Sequence, residues 1–394
     1  MTTADFNALD RLDLLDLDDS LSSEDRLLRD TIRRFATDQL RPNITEWFEA
    51  GTLPARDLAL EFGKLGVLGM HLQGYGCAGA SASQYALACI EIEAVDSGLR
   101  SLVSVQGSLA MYAIYAYGSE EQKQQWLARM ATGEAIGCFG LTEADAGSDP
   151  GSMRTYARRD GEDWILHGSK MWITNGSISD VAVVWARTDS GVRGFLIEKG
   201  TPGFTATDVH HKISLRASIT SELSMNDVRL PASALLPEAR GLRAPLGCLT
   251  EARFGIVNGV VGAARDALAT TLEYANTRIQ FDKPISSFQL TQRKLAEMAV
   301  AVQNMQLVAR RLCELKDADL IKPHQISYGK FANVRSALEV CREARSILGG
   351  SGITTEYPAL RHAVNLETVY TYEGTHEVHT LVLGEQLTGI SAYR

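Results

Sequence analysis

A chain of 394 residues, 45% apolar and 22% charged, can bury a large core and divide into two or three structural units. Its net charge of −9 argues against a nucleic-acid partner and against an anionic membrane surface, although one local cluster of positive charge would still accept an anionic small molecule. Cys77, Cys89, Cys138, Cys248, Cys313 and Cys341 show no CxxC spacing and read as buried thiols of a reducing compartment; no run approaches the roughly 20 apolar residues of a membrane span; and the acidic opening MTTADFNALDRLDLLDLDD is neither a signal peptide nor an Arg-rich transit peptide, which points to a cytoplasmic protein.

From about residue 20 to 130 the apolar period is helical. In SSEDRLLRDTIRRFATDQLRPNITEWF, Leu27, Leu28, Ile32, Phe35 and Ala36 fall on one stripe. Ser22 stands as N-cap, and Asp25, where a longer Glu or Gln is preferred, makes the capping box partial. SQYALACIEIEAVDSG and SEEQKQQWLARMATGE read as further helices, the second starting on Ser119 and stopping near Gly133. Between them GYGCAG, Gly74 to Gly79, is a literal GxGxxG with Asp96 downstream. A dinucleotide fingerprint needs a strand before it and βαβ alternation after it; LGMHLQ is a poor strand and no alternation follows, so this reads as a Gly-rich loop.

From about 131 to 240 the texture changes to short β-type runs, DWILHGSKMWITNG, DVAVVWARTDSGVRGFLIEKG and SITSELSMNDVRLP, with TDSG as a hairpin turn. The expected unit is antiparallel, a small sandwich or barrel. At its entrance CFGLTEADAGSDPGSM sets Thr142, Gly147, Ser148 and two acids in a loop. Such a loop suits a phosphate or a polar ring edge, though plain turn chemistry explains it as well. In KMWITNG, Trp172 by itself reads as core; with Thr174 on the same strand face it would also suit stacking on a flat heteroaromatic ring.

From about 241 helices return, and three long antiparallel ones plus a short fourth form a bundle. HEVH, His376 to His379, has a spacing of three, not the four of HExxH, and reads as polar positions at the start of the terminal helix, with no metal. The expected fold is mainly α with a central β domain: an N-terminal helical domain over 1–132, a middle β-sandwich or barrel over 133–240, and a C-terminal four-helix bundle over 241–394.

LTEADAGSD, KMWITNG, RIQF with FQLTQ, ILGGSGIT and TYEGT occur in this order and spacing. Through them the chain resembles the acyl-CoA dehydrogenase family over nearly all of its length. SGLRSLVSVQGSLAMYAIYAYGSEEQK, ISLRAS and RHAVNLETVYTYEGTHEVHTLVLG look like its glutaryl-CoA dehydrogenase branch in particular. The resemblance implies FAD held without a Rossmann unit. Phe139, Leu141, Thr142, Trp172 and Thr174 would line the isoalloxazine, and Gly147 and Ser148 would lie near the pyrophosphate and the thioester. Arg278, Gln280, Phe281, Phe288 and Gln289, with the turn at Gly349 and Gly350, would come from a neighbouring subunit of a homotetramer built as a dimer of dimers; Thr375 also falls among the cofactor contacts. An electron-transferring flavoprotein would be the electron acceptor.

The resemblance makes Glu373 the catalytic base, where its bland reading is a helix-start carboxylate. Burial raises such a carboxyl toward the operating range, and the thioester carbonyl would accept hydrogen bonds from the Glu373 N–H and a flavin ribityl hydroxyl. Arg100, in a zone otherwise poor in charge, would pair with the distal carboxylate of a dicarboxylic acyl group, with Glu93 and Ser104 arranging the pocket; a structural ion pair with Glu93 is the alternative. Tyr372 before the base and Thr174 match the decarboxylating kind, so the implied reaction takes glutaryl-CoA to crotonyl-CoA and CO2. Arg253 is expected on the CoA side. Thr250 and Asn258 depart from the Asn and Trp usual in the branch, and Glu-Ala in LTEADAG replaces the common Glu-Pro. The alternatives are a straight-chain dehydrogenase, an oxidase or a non-decarboxylating dicarboxylyl-CoA enzyme of this fold, and a non-catalytic flavoprotein.

Overall fold

The computed structural model describes residues 12–393. Most of the acidic opening stretch, read above for the absence of a leader, lies outside that range.

The first layer of helices follows its sequence signals. Helix α1 (Ser23–Phe35) begins where the Ser22 hydroxyl accepts from the Asp25 N–H. Asp25 does not return a bond to the Ser22 backbone; its carboxylate accepts from the Ser22 hydroxyl instead. Ile32 and Ala36 are buried as the stripe requires, but Leu27 is 65% exposed and belongs to the outer face. Helices α2 (Ile44–Ala50) and α3 (Ala55–Lys64) follow. The GYGCAG segment is a loop in which Gly74, Gly76 and Gly79 have positive φ. Helix α4 (Ala82–Glu93) opens with a full Ser81/Gln84 capping box, and α7 (Glu120–Ala131) with one from Ser119 and Gln122. Between them α5 (Ser97–Ser104) runs through a π-helical segment, Val105–Met111, into α6 (Tyr112–Tyr117). Gln106 in that segment donates to Met130 O and Ala135 O and accepts from Gly137 N, tying these helices to the first strand.

The strands are β1 (Gly137–Gly140), β2 (Tyr156–Asp160), β3 (Asp163–Thr174), β4 (Val181–Thr188), β5 (Gly191–Glu198), β6 (Phe204–Asp208) and β7 (Thr220–Leu230). They form one sheet in the order β1-β4-β2-β3-β7-β6, with β5 on β4. The expected wholly antiparallel unit is corrected: β1 runs parallel to β4, and so does the single β2–β4 pairing. The reason is that β1 and β4 are joined by a long crossover that includes β2 and β3, and not by a hairpin. TDSG does form the β4–β5 hairpin, with Thr188 opposite Gly191.

Helix α8 (Arg243–Thr277) leads through the short hairpin β8 (Ile279–Gln280) and β9 (Lys283–Pro284) to α9 (Gln289–Asp317) and α10 (Pro323–Leu348). Lys316 near the end of α9 pairs with Glu251 near the start of α8, and Lys294 near the start of α9 with Glu343 near the end of α10, so the three are antiparallel. The short fourth element is in fact two helices, α11 (Pro358–Thr371) and α12 (His376–Thr388). Glu373 lies in the break between them and not at a helix start. Its φ of 52° is uncommon for a residue with a Cβ. Helix α8 packs closely on α4 because Gly262 faces the Ile90 carbonyl; a Cβ there would lie 1.9 Å from that oxygen.

Candidate active site

The site is assembled where α5, α8 and α10 meet the break at Tyr372–Thr375. Asp96 caps α5 by accepting from Gly98 N, and it also accepts from Asn365 Nδ2 at 2.8 Å and forms an ion pair with Arg361 Nε at 3.2 Å. The orientation of α5 is thus fixed against α11. Arg100, one turn into α5, is 1% exposed. Its Nε donates to Glu93 Oε2 at 2.6 Å, and Ser97 Oγ donates to the other Glu93 oxygen at 2.7 Å. Arg100 Nη2 donates to Tyr372 Oη at 2.6 Å, beside Glu373 in sequence. Burial opposes the charge on Arg100, but Glu93 more than offsets it and holds the guanidinium firmly protonated. Ser104 lies one turn beyond Arg100 on the same helix face. Arg100 Nη1 and Ser104 Oγ are both buried without a hydrogen-bond partner. A buried donor left in this state costs about 1–3 kcal/mol, which a bound carboxylate would relieve.

Three buried or half-buried basic side chains converge on the break. Lys330 Nζ from α10 donates to Tyr372 O and to Gly374 O, each at 2.7 Å. Arg253 Nε from α8 donates to Glu373 O at 2.6 Å. His379 is buried under Gly374, and burial with the neighbouring Lys330 and Arg253 lowers its imidazole to about 3. His376 stacks between Phe331 and Tyr370 at 4.1 and 4.3 Å. The Glu373 carboxyl has a buried Oε2 without a partner. Burial raises its pKa from the ordinary value, opposed by Arg100, Lys330 and Arg253. Arg253, expected on the CoA side, thus directs its Nε at the backbone of the Glu373 residue. Thr250 bonds its own helix at Leu246 O, and Asn258 is buried with its amide on Phe254 O.

Lys330 went unnoticed in the sequence, and His379, read as a polar position at the start of the terminal helix, is buried. The signal for Lys330 was there: Ile326, Ser327, Gly329, Asn333 and Val334 are all buried on the stripe it shares, and a lysine on such a stripe is rare.

On the β side, Lys170 is fully buried and donates to Glu143 Oε1 at 2.8 Å and Leu141 O at 3.1 Å. Glu143 in turn accepts from Arg154 N and Thr155 N. This holds the segment with Leu141 and Thr142 against β3, where Met171 N donates to Thr142 O. The β3–β7 register shifts between Lys170 and Ile173, so the alternation assumed for Trp172 and Thr174 is broken by a bulge. The core reading of Trp172 is corrected: the residue has φ 66° and is 57% exposed. A large aromatic held in an unfavourable backbone conformation and facing outward suits a flat ligand ring better than packing. Thr142 and Thr174 are half-buried, Phe139 and Leu141 buried, and Gly147 and Ser148 exposed, with nothing within 4 Å of where a Gly147 Cβ would stand. These residues fit the isoalloxazine end of FAD. Thr375 caps α12, accepting from Val378 N.

Arg278, Gln280, Phe281 and Gln289 are exposed around the β8–β9 hairpin, and Phe288 stands edge-on to Phe281 at 6.0 Å. Gly349 and Gly350 are exposed at the end of α10, which Lys294 ties to the start of α9 through Ser346. Gly349, at φ 58° and ψ −128°, has a backbone that only glycine adopts readily.

Comparison with known proteins bears on the whole chain. Residues 22–134 match the acyl-CoA dehydrogenase N-terminal domain, 138–228 the middle domain and 239–388 the C-terminal domain. The mitochondrial short-chain specific acyl-CoA dehydrogenase of Homo sapiens is 35% identical, over 94% of this chain and 90% of its own. A glutaryl-CoA dehydrogenase from Mycobacterium smegmatis, solved in complex with FADH2, is 61% identical with a TM-score of 0.96, covering 97% of this chain and 99% of its own. A solved chain described with the electron transferring flavoprotein of Acidaminococcus fermentans is 34% identical with a TM-score of 0.90, covering 94% and 99%. With all three domains matched in order over a chain of this fold, the protein belongs to the acyl-CoA dehydrogenase family of FAD-dependent oxidoreductases.

Proposed function

We propose that this enzyme is a glutaryl-CoA dehydrogenase that oxidises the α,β bond and then releases CO2 to give crotonyl-CoA. The observation that carries the reading is Arg100. A straight acyl chain needs only apolar walls, yet here a buried guanidinium next to the base keeps Nη1 without a partner, on one helix face with Ser104 Oγ, also without one. Arg100, Arg253 and Lys330 face Glu93 and Glu373, which leaves one positive charge in excess when Lys330 is protonated. A distal substrate carboxylate would balance that charge and pair with the fork of Arg100. The likeness to the Mycobacterium smegmatis enzyme supports the same substrate.

In this reading Glu373 removes the α-proton: burial raises its basicity, and the cations around it oppose that rise. FAD, when bound, supplies the acceptor for the β-hydrogen as hydride. Arg100 keeps the γ-carboxylate in place until CO2 leaves, and Glu373 returns its proton to the γ-carbon of the dienolate. Tyr372, bonded to Arg100, stands beside the carboxylate that is lost. Phe139, Leu141, Thr142, Gly147, Ser148, Trp172 and Thr174 hold one end of the cofactor; Arg278, Gln280, Phe281, Phe288, Gln289, Gly349 and Gly350 of a second subunit hold the other, in a homotetramer. The likeness to the Acidaminococcus fermentans chain supports an electron-transferring flavoprotein as the reoxidant.

The second reading is a short-chain dehydrogenase in which Arg100 serves only its 2.6 Å pair with Glu93; the human relative favours it. Mass spectrometry of the acyl-CoA products, with glutaryl-CoA and an artificial acceptor, separates the readings. Crotonyl-CoA is the expected product. Glutaconyl-CoA alone would remove the decarboxylation, and unchanged glutaryl-CoA with rapid turnover of butyryl-CoA would remove the substrate.

A further inference from the structure

The most unusual side chain that the reaction above does not use is Lys330. It is 2% exposed, yet it forms no ion pair with a carboxylate among the described residues. A methionine or leucine would fill the same space in the α10 stripe without the cost of burying an ammonium. Its Nζ instead reaches the two carbonyls on either side of Glu373, Tyr372 O and Gly374 O, both at 2.7 Å. The carbonyl between them, Glu373 O, is taken by Arg253. All three successive carbonyls of the break thus accept from basic groups. The residue they bracket is the one with φ 52°.

We propose that Lys330 is a positioning residue for proton abstraction: it clasps the break between α11 and α12 in the left-handed conformation that aims Glu373, and its charge favours the ionised carboxyl.

The proposal rests on Glu373 being the base, but not on which acyl group is used. The groups that face Lys330 are Glu373 on the break, Arg253 from α8, Arg100 from α5, and His376 and His379 from α12, with the Tyr372 ring 6.0 Å away. Glu373 is the anion among them. Burial lowers the Lys330 ammonium to about 7, which the Glu373 charge opposes; the two groups therefore titrate as a pair. A neutral amine still has two N–H donors, so the clasp on both carbonyls survives deprotonation and only the electrostatic part is lost.

Stopped-flow reduction of the bound flavin in the holoenzyme, from pH ~5 to ~9, with butyryl-CoA and with glutaryl-CoA, tests this. Lys330→Met is expected to slow flavin reduction by about tenfold or more and to move the acidic limb of the profile upward, while KM changes by less than about threefold. Lys330→Arg keeps the charge and is expected to restore the limb to its wild-type position. A limb that stays in place in Lys330→Met, or a loss confined to KM or to Tm, would overturn the proposal. If Lys330→Met yields no holoenzyme, Lys330→Arg decides: a wild-type limb supports the role and a displaced one overturns it. Glu373→Gln is the separate control, since pH-dependent flavin reduction surviving in it would remove the base and not the clasp.

Discussion

At the residue scale the base and the substrate arginine give sharp tests. Burial holds the Glu373 carboxyl above the ordinary carboxylate range. Flavin reduction should therefore rise with pH through that raised value, later than an exposed glutamate would allow. A carboxyl whose pKa is raised by folding helps stability below the unfolded value and loses that help as pH rises. Glu373→Gln should thus abolish flavin reduction while leaving FAD bound and Tm unchanged or higher at neutral pH; a destabilised apoprotein would contradict both points. Arg100→Ala should weaken glutaryl-CoA far more than butyryl-CoA, by about 3 kcal/mol or more in kcat/KM, because it strips a buried carboxylate of its partner. Equal losses on the two thioesters would leave Arg100 with its structural pairing alone. Glu373 was singled out through the family motif TYEGT, since by itself it reads as a helix-start carboxylate, and Arg100 through the same resemblance together with its setting in a zone poor in charge. Trp172 read as core only when taken alone, because strand alternation assumes an unbroken register and the bulge after Lys170 breaks it.

At the element scale the active-site geometry depends on how closely α8 lies on α4. Two glycines on α8 permit it in different ways. At Gly262 an added Cβ meets backbone, 1.9 Å from Ile90 O, so the helices themselves must move apart. At Gly259 it meets the far end of a side chain, 2.0 Å from Glu93 Oε2, and 3.3 Å from Arg100 Nε. Gly262→Ala should therefore lower stability by about 1–3 kcal/mol, measured by denaturant unfolding. Gly259→Ala should cost less stability but displace the Glu93–Arg100 pair and raise KM for glutaryl-CoA. The reverse ranking in unfolding experiments would mean that the α4–α8 contact is softer than its geometry. Helix starts were visible at the Ser22 and Ser119 caps, though the cap at Ser81 was not singled out. The break between α11 and α12 was not: nothing in TYEGT marks a helix end except Gly374, and Lys330 and Arg253, which hold the break, come from distant elements.

At the scale of the whole molecule, the described helices include none long and apolar enough to cross a membrane. The β8–β9 hairpin and the start of α9 carry Phe281 at 88% and Leu290 at 74% exposure, an apolar surface that a second copy of the chain would cover in the proposed homotetramer. Phe281→Asp with Leu290→Asp should shift the protein to smaller species in analytical ultracentrifugation and release FAD in parallel. Loss of assembly with full flavin retention would show that one subunit holds the cofactor alone. The order of helical layer, sheet and bundle was decided by the sequence itself, because apolar periodicity and turn residues act locally and each layer reports its own period. The sequence also carried the motif order through which Glu373 and Arg100 were singled out. Only the tertiary structure decided that β1 runs parallel to β4, that Trp172 faces outward, and that Lys330 and Arg253 grip the backbone around the base. Those depend on strand pairing across a crossover and on side chains meeting from helices far apart in the chain, and such meetings leave no periodicity to read.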